Sequence, residues 1–366
     1  MSKVRPWGAL SGEKQGPMAG KITYCLSYPL VLTRACENRC GYCRFPVVEP
    51  GRLPSPRTVR RHLHEAVGRG ATQIELIAGE GITTDPDIVA MVRYYGFDSY
   101  QSYLTRILEM IEATDRQSPL FSLLNVGPLS LAELCVMRPY LCALRIMLES
   151  TDVTLQFREA HREAPSKSPD HRLEAILCCG KAGVPLTTGI LVGIGESRAS
   201  RMKAFEIIAR ANERYGHIQA VRLQMFHPLS GTPMAEASEV SDEEFLETVA
   251  MARRHFGSRV AIQVSADEHP HLIGGLLDAG VSDFGDLSVR GSGNQNAGQC
   301  RKTAAESVSI ASLTATMATE SEKRGLVLAR RFPVYEPYCA ARWYPGGFPS
   351  RLTRARAVMH EPIQRV

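Results

Sequence analysis

The chain has 366 residues, 44 % apolar and 22 % charged, with a formal net charge of +5. That balance belongs to a globular protein with a substantial core and excludes a disordered or fibrous chain. The basic residues are scattered without an aromatic–basic platform, which argues against nucleic acid as substrate, and no run of eighteen apolar residues exists to span a bilayer.

Residues 1–22 carry no apolar signal core and read as a loose tail. Short apolar runs then alternate with helical patterns. LSYPLVLT (26–33) reads as a strand, and SPRTVRRHLHEAVGRG as a helix with a Ser N-cap and a Gly stop. QIELIAGE (73–80) is a second strand, followed by the helix SYQSYLTRILEMIEAT. LFSLLNVG (120–127) and ALRIMLES (143–150) are the third and fourth strands, with LSLAELCVMRPY as the helix between them. SPDHRLEAILCCGKAG is a helix that closes on Gly183. PLTTGILVGIG (185–195), AVRLQMFHP (220–228), VAIQVSA (260–266) and DFGDLSV (283–289) complete the strands. The helices between them are SRASRMKAFEIIARANERYG, SDEEFLETVAMARRHFG and HPHLIGGLLDAG; Ser241 and Glu244 in the second are spaced as a capping box.

Eight alternations, with strands apolar on both faces, predict an α/β fold: a parallel sheet covered by helices and closed as a (β/α)8 TIM-type barrel over 23–300. GSGNQNAG (291–298) reads as a flexible loop. A C-terminal extension, 301–366, is expected to pack a helix (302–325) and a strand (326–335) on the barrel. In such a barrel the active site lies at the strand C-termini.

TRACENRCGYCRFP follows the first strand and places Cys36, Cys40 and Cys43 on one tight loop. The ten cysteines, in a long chain without an export signal, are expected as reduced thiols in a cytoplasm. Three thiolates suit a 4Fe-4S cluster with one iron left open to a small molecule. Zinc is the competing reading, but it needs a fourth ligand, and neither Cys25 nor His64 stands at finger spacing.

CxxxCxxC after a first barrel strand, with Tyr42 before the third Cys, resembles the radical S-adenosylmethionine (SAM) enzymes. The resemblance implies a 4Fe-4S cluster on the three cysteines and SAM on its open iron. Reductive cleavage then yields a 5′-deoxyadenosyl radical that abstracts hydrogen from a small-molecule substrate. It also implies an electron donor such as flavodoxin or ferredoxin. Residue by residue, Gly79 and Glu80 in AGEG match the stretch that holds the methionine ammonium, with Ala78 where the family has Gly. Glu149 matches an acid for the cofactor, and Arg172 an arginine for the methionine carboxylate. Gly189, Leu191 and Gly193 in GILVGIGE match the stretch against the adenine, with Glu196 at its end.

HREAPSKSPDHRLEAI, VPLTTGILVGIGES, ERYGHIQAVRLQMF and RFPVYEPY are similar to the deazaflavin synthase family of radical SAM enzymes. Its members close the ring of a tyrosine–diaminouracil adduct with loss of ammonia, after a subunit-H-like upstream enzyme has made that adduct. The departures gather at the ends of strands three and six to eight. FHPLSG replaces Phe-Arg-Ala-Lys, SADEHPHL replaces Pro-Pro-Asn-Leu, SDFGDLSVRGSGNQN stands where Asn-Asp-Trp-Gly-Gly is usual, and NVG replaces Asn-Pro-Gly. A paralogue acting on another aromatic or amino-acid-derived substrate is therefore the alternative. Substrate-side candidates are Asn125, His217, Gln219, Gln224, His227, Asp267, His269, Asp283 and Asp286. His227 is the candidate proton acceptor, with Asn125, Gln224 and Asp283 beside it. An iron–sulfur protein without enzymatic activity and a zinc barrel with hydrolytic chemistry are the rival classes.

Overall fold

The computed structural model describes residues 20–46, 53–114, 120–290, 309–344, 350–353 and 355. The loop 291–298, Cys300, most of the tail 1–22 and the first residues of the helix expected from 302 lie outside these.

Eight parallel strands form a closed ring: β1 (Lys21–Val31), β2 (Gln73–Ile77), β3 (Phe121–Asn125), β4 (Ala143–Arg145), β5 (Leu186–Val192), β6 (Ile218–Met225), β7 (Ala261–Gln263) and β8 (Asp283–Ser288). Closure runs through β1, which pairs with β8 on one side and, from Ser27 to Val31, with β2 on the other. The outward residues of each strand, such as Leu76, Leu124, Leu144 and Val221, join one continuous core beneath the helices. This is the expected (β/α)8 barrel.

The helices around the ring are α1 (Pro56–Gly68), α2 (Pro86–Tyr94), α3 (Tyr100–Ala113), α4 (Leu131–Met137), α5 (Pro169–Ala182), α6 (Arg198–Tyr215), α7 (Asp242–Phe256), α8 (Ile273–Ala279) and, in the extension, α9 (Ile310–Glu322). Serine caps start most of them, and α5 ends on Gly183 in the left-handed region, φ 66°. Two expectations change. α2 is absent from the sequence reading, although Asp85 caps it and Pro86 opens it, the usual start signal. Ser241 accepts from the Glu244 N–H, but the Glu244 carboxylate turns to Arg201 at 2.7 Å, so the capping box is only half formed.

The extension does more than pack on the barrel. Its strand, β9 (Val327–Arg330), joins the sheet parallel to the lower half of β1, from Lys21 to Tyr24. The segment after it then covers the end of the barrel where strands begin. Phe332, Tyr335, Tyr338, Trp343 and Tyr344 pack with Phe121, Ala143 and Ala261, the first residues of β3, β4 and β7. Tyr338 Oη donates to the Ile218 carbonyl at 2.7 Å and Tyr344 Oη to that of Cys142 at 3.0 Å.

Arg331 enters the barrel from this floor and donates to both oxygens of Asp283, at 2.5 and 2.9 Å, and to Asp286 at 3.4 Å. Asp283 also accepts from Thr23 and Gln263. Removing one partner of such a buried group costs about 3–5 kcal/mol, because the other charge is left unpaired. Arg331→Leu should therefore lower the unfolding free energy by that amount, and adding Asp283→Asn should recover part of it. A single variant within ~0.5 kcal/mol of wild type by urea titration would contradict this account of the floor.

Candidate active site

At the other end of the barrel, β1 runs directly into the cysteine loop. The loop is fixed by backbone bonds on both flanks: Glu37 N–H to the Glu80 carbonyl at 2.9 Å, Arg39 N–H to that of Glu163 at 2.7 Å, and Gly41 N–H to that of Ala160 at 3.0 Å. Two glycines make these approaches possible. A Cβ on Gly79 would lie 1.9 Å from the Ala35 carbonyl oxygen, and one on Gly41 would lie 2.2 Å from that of Glu159. Backbone N–H groups point at sulfur: Glu80 N–H to Cys36 Sγ at 3.3 Å and Phe45 N–H to Cys43 Sγ at 3.4 Å. Cys40 and Tyr42 sit in a separate apolar cluster with Leu155, Leu191, Phe226 and Met234.

A charged network lies against this loop. Glu80, just past β2, accepts from Asn38 at 3.3 Å, from Ser166, from Lys167 at 3.0 Å and from Arg172 at 2.9 Å. Lys167 Nζ also reaches Glu149 at 3.0 Å, and Arg172 Nε donates to the Met147 carbonyl at 2.7 Å. Burial alone would raise both carboxyls, but Arg172 and Lys167 at Glu80, and the same two cations at Glu149, hold them below the ordinary carboxylate range. Lys167 is raised in turn: burial opposes its charge, and the two acids override it.

Glu149 is the only non-glycine among the described residues with positive φ, 65°. That conformation costs about 1–2 kcal/mol and persists only where surrounding bonds impose it. Here its N–H donates to the Gly189 carbonyl and its carbonyl accepts from Leu191 N–H, which bridges the end of β4 to β5.

The comparisons with known proteins agree with this geometry. The Radical SAM superfamily model matches residues 30–208. The 7,8-didemethyl-8-hydroxy-5-deazariboflavin synthase of Methanosarcina mazei is 34 % identical over 339 residues, covering 91 % of this chain and 94 % of the relative. The chain belongs to the radical SAM superfamily and to its deazaflavin synthase family. The synthase of the same name from Archaeoglobus fulgidus is 39 % identical over 271 residues, 73 % of this chain and 79 % of that one. Among solved structures, the FeFe-hydrogenase maturase HydG from Carboxydothermus hydrogenoformans has the same fold, with TM-score 0.65 at 21 % identity over 92 % of this chain and 74 % of that one.

The donor set of this radical SAM chain fits an iron–sulfur cluster: three cysteines stand on one loop, and backbone N–H groups point at the sulfurs of Cys36 and Cys43, the hydrogen bonds that cluster thiolates accept. Burial pushes the Cys40 thiol up to about 12, so it sheds its proton only to a strongly bound cation. Cys25, the nearest candidate for a fourth ligand, lies in the lower half of β1 against Thr72 and Gln73.

The structure brings Gly79, Glu80, Glu149, Arg172 and Leu191 to the mouth with the cysteines. Arg172 pairs with Glu80 rather than standing free for a carboxylate. Gly189 is required by the sheet itself, since a Cβ there would lie 1.8 Å from the Arg222 carbonyl oxygen. Gly193, φ 101°, and Ile194 donate to Glu196, which Arg201 holds at 2.7 Å; Glu196 ties its own loop together.

Sequence reasoning missed Asn38, His161, Ser166 and Lys167. His161 meets the Tyr42 hydroxyl at 3.1 Å, and burial lowers its pKa to about 4. The signal for Lys167 was its place in the same SKSPDHR run as Arg172.

On the substrate side, Asn125 ends β3 and donates to Glu75 at 3.0 Å, and Gln224 is half-buried near the end of β6. His227 follows β6, its Nδ1 2.6 Å from Glu239 and its ring 5.5 Å from that of His269; its Nε2 is buried without a partner among the described residues. Three candidates are corrected, because they open strands or precede them instead of ending them. Asp283 begins β8 and is fully buried under Arg331. Gln219 donates to the Pro333 carbonyl at 3.1 Å, on the floor. His217 is fully buried, with Nε2 2.9 Å from the Ile176 carbonyl. Asp286 is taken by Arg145 and Arg331.

A carboxylate whose folded pKa lies below its unfolded value, about 4.3, stabilises the protein above that pH and loses its contribution as the pH falls. Replacing Lys167 with Met should raise the folded value of Glu149. The metal-free variant should then begin to unfold at a higher pH than wild type in an acid titration followed by circular dichroism. Superimposable curves would refute the pairing.

Proposed function

We propose that this chain holds one 4Fe-4S cluster on Cys36, Cys40 and Cys43, binds SAM beside it, and closes the ring of a tyrosine–diaminouracil adduct with loss of ammonia. The observation that carries the reading is a similarity to a deazaflavin synthase that spans 91 % of this chain and 94 % of the relative. When bound, cluster and cofactor supply an electron and a hydrogen-abstracting radical.

The chain's own residues position, neutralise and exclude. Glu80 and Glu149, kept ionised, provide negative charge for an ammonium, and Lys167 and Arg172 stabilise that charge in a buried setting. Tyr42, Leu155, Leu191 and Phe226 make an apolar wall around Cys40 that keeps water from the reacting groups. Asn125 and Gln224 offer polar contacts to substrate from inside the barrel. His227 is the proton acceptor: Glu239 orients its Nδ1–H, which leaves Nε2 free to take a proton as the ring closes. A flavodoxin or ferredoxin is the expected electron donor, and a subunit-H-like upstream enzyme the source of the adduct. A second reading, the same radical chemistry on another amino-acid-derived substrate, is favoured by one feature: FHPLSG ends the β6 region where the family carries Arg and Lys.

Anaerobic reconstitution with iron and sulfide should give a brown protein that, once reduced, converts SAM to 5′-deoxyadenosine; Cys40→Ser should abolish this. Supplying the adduct should release the fluorescent deazaflavin, and deoxyadenosine without fluorescence would transfer support to the second reading. His227→Ala should lower turnover by roughly a hundredfold. Turnover at the wild-type rate would end the role given to His227.

A further inference from the structure

His161 and Tyr42 form a buried polar pair inside an apolar wall. His161 is 2 % exposed and Tyr42 3 %. The histidine Nε2 lies 3.1 Å from the phenol oxygen, and the rings meet edge to face with centroids 5.7 Å apart. Leu155, Ala160, Leu191, Phe226 and Met234 surround Tyr42, and Cys40 belongs to the same cluster. A wall needs only the aromatic ring. The hydroxyl and imidazole add a desolvation cost that a phenylalanine at 42 would avoid.

The pair sits on the two segments that clamp the cysteine loop. Gly41 N–H donates to the Ala160 carbonyl at 3.0 Å, and one residue further along each segment Tyr42 meets His161. His161 N–H reaches the Leu155 carbonyl at 3.2 Å, and its own carbonyl accepts from Ala164 N–H at 3.0 Å, so its backbone is pinned. The three cysteine sulfurs are not treated alike. Those of Cys36 and Cys43 each accept a backbone N–H, from Glu80 and Phe45, whereas among the described residues no backbone N–H donates to that of Cys40.

Burial keeps His161 neutral. The phenol has one proton and two neighbours to receive it: Nε2 of His161, and the sulfur of Cys40, whose charge acts on the phenol more strongly than any other. A thiolate is the stronger acceptor, because a hydrogen bond to a charged group is about twice as strong as one between neutral groups. With its O–H turned to sulfur, the phenol oxygen accepts from Nε2–H instead.

We infer that His161 and Tyr42 are positioning residues that form a relay, His161 Nε2–H to the phenol oxygen and the phenol O–H to the Cys40 thiolate, and that this relay raises the reduction potential of the cluster. The inference rests on the reading of the three cysteines as cluster ligands. Reduction adds one negative charge, part of which falls on the sulfurs. A donor on sulfur stabilises the reduced form more than the oxidised one, so losing the donor makes reduction harder.

The test is an anaerobic redox titration of the reconstituted full chain with dithionite and low-potential viologen mediators, the reduced cluster being counted by electron paramagnetic resonance. Tyr42→Phe should bind as much iron as wild type. At the wild-type midpoint its ratio of reduced to oxidised cluster should be lower by roughly three- to tenfold, tenfold being about 59 mV for one electron. His161→Leu should move the ratio the same way, and adding it to Tyr42→Phe should change nothing further. His161→Gln, whose amide N–H replaces Nε2–H, should stay close to wild type. An unmoved midpoint in Tyr42→Phe overturns the relay, and so does a His161→Leu shift that persists undiminished in the Tyr42→Phe background. If Tyr42→Phe takes up no iron, an unmoved midpoint in His161→Leu overturns it equally. A wild type without an iron–sulfur signal overturns the cluster reading and the relay together; a wild-type cluster indifferent to both variants overturns the relay alone.

Discussion

The arrangement depends on keeping Glu80 ionised while it is buried. An isolated carboxylate in that position would take up a proton. It is held charged by Arg172 and Lys167 and by hydrogen bonds from Asn38 and Ser166. Those four side chains come from three different segments: the cysteine loop, the turn at 165–167 and the start of α5. Satisfying one carboxylate therefore draws together the end of β2, the cysteines and the helix after β4. Glu149 extends the same network to β5 through Lys167 and a strained backbone. A cation at this site is both an electrostatic requirement and a tie between strands.

The barrel is built differently at its two ends, and for different reasons. The floor is closed by aromatic side chains of the extension and by Arg331 on Asp283, partners that come from distant parts of the chain. Such a floor fixes the ring and excludes water from below. The mouth carries Glu80, Glu149, Lys167 and Arg172, whose charges balance within the chain. Between them, Arg145 spans the interior from β4 to Glu75 on β2 and Asp286 on β8. Charge is thus compensated level by level up the barrel. At Arg222 the compensation comes from a single, partly exposed acid.

Period and punctuation made most of the fold legible. All eight strands were placed, because each is a short apolar run between turn signals, and β1 through β8 differ from the expected spans mainly at their ends. The cofactor end was also legible, since CxxxCxxC, AGEG and GILVGIGE are local motifs. The sequence reading already sets Asp283 at the start of the eighth strand and His217 and Gln219 just before the sixth, close to their places in the structure. What local pattern does not carry is the partner that closes over a strand start: Arg331, Pro333 and Ile176, distant in sequence, take these three side chains. Lys167 was missed for a related reason: its role exists only where β2, β4 and the turn before α5 meet. α2 was overlooked although Asp85-Pro86 announces it.

The division between the two halves of the mouth follows from what each must bind. The half built on β1, β2, β4 and β5 is over-determined. Gly79, Gly41 and Gly189 sit where a single Cβ would collide with backbone, and Glu149 holds a conformation that its neighbours enforce. Changes there would break the fold locally before they altered binding. The half built on β6, β7 and β8 carries its polarity on side-chain pairs rather than on constrained backbone: His227 with Glu239 and Arg222 with Glu268, beside Gln224. Substitutions there change which groups are offered to a substrate without disturbing the ring. Most of the family-pattern departures fall in this second half, NVG at the end of β3 and Ala78 after β2 being the exceptions.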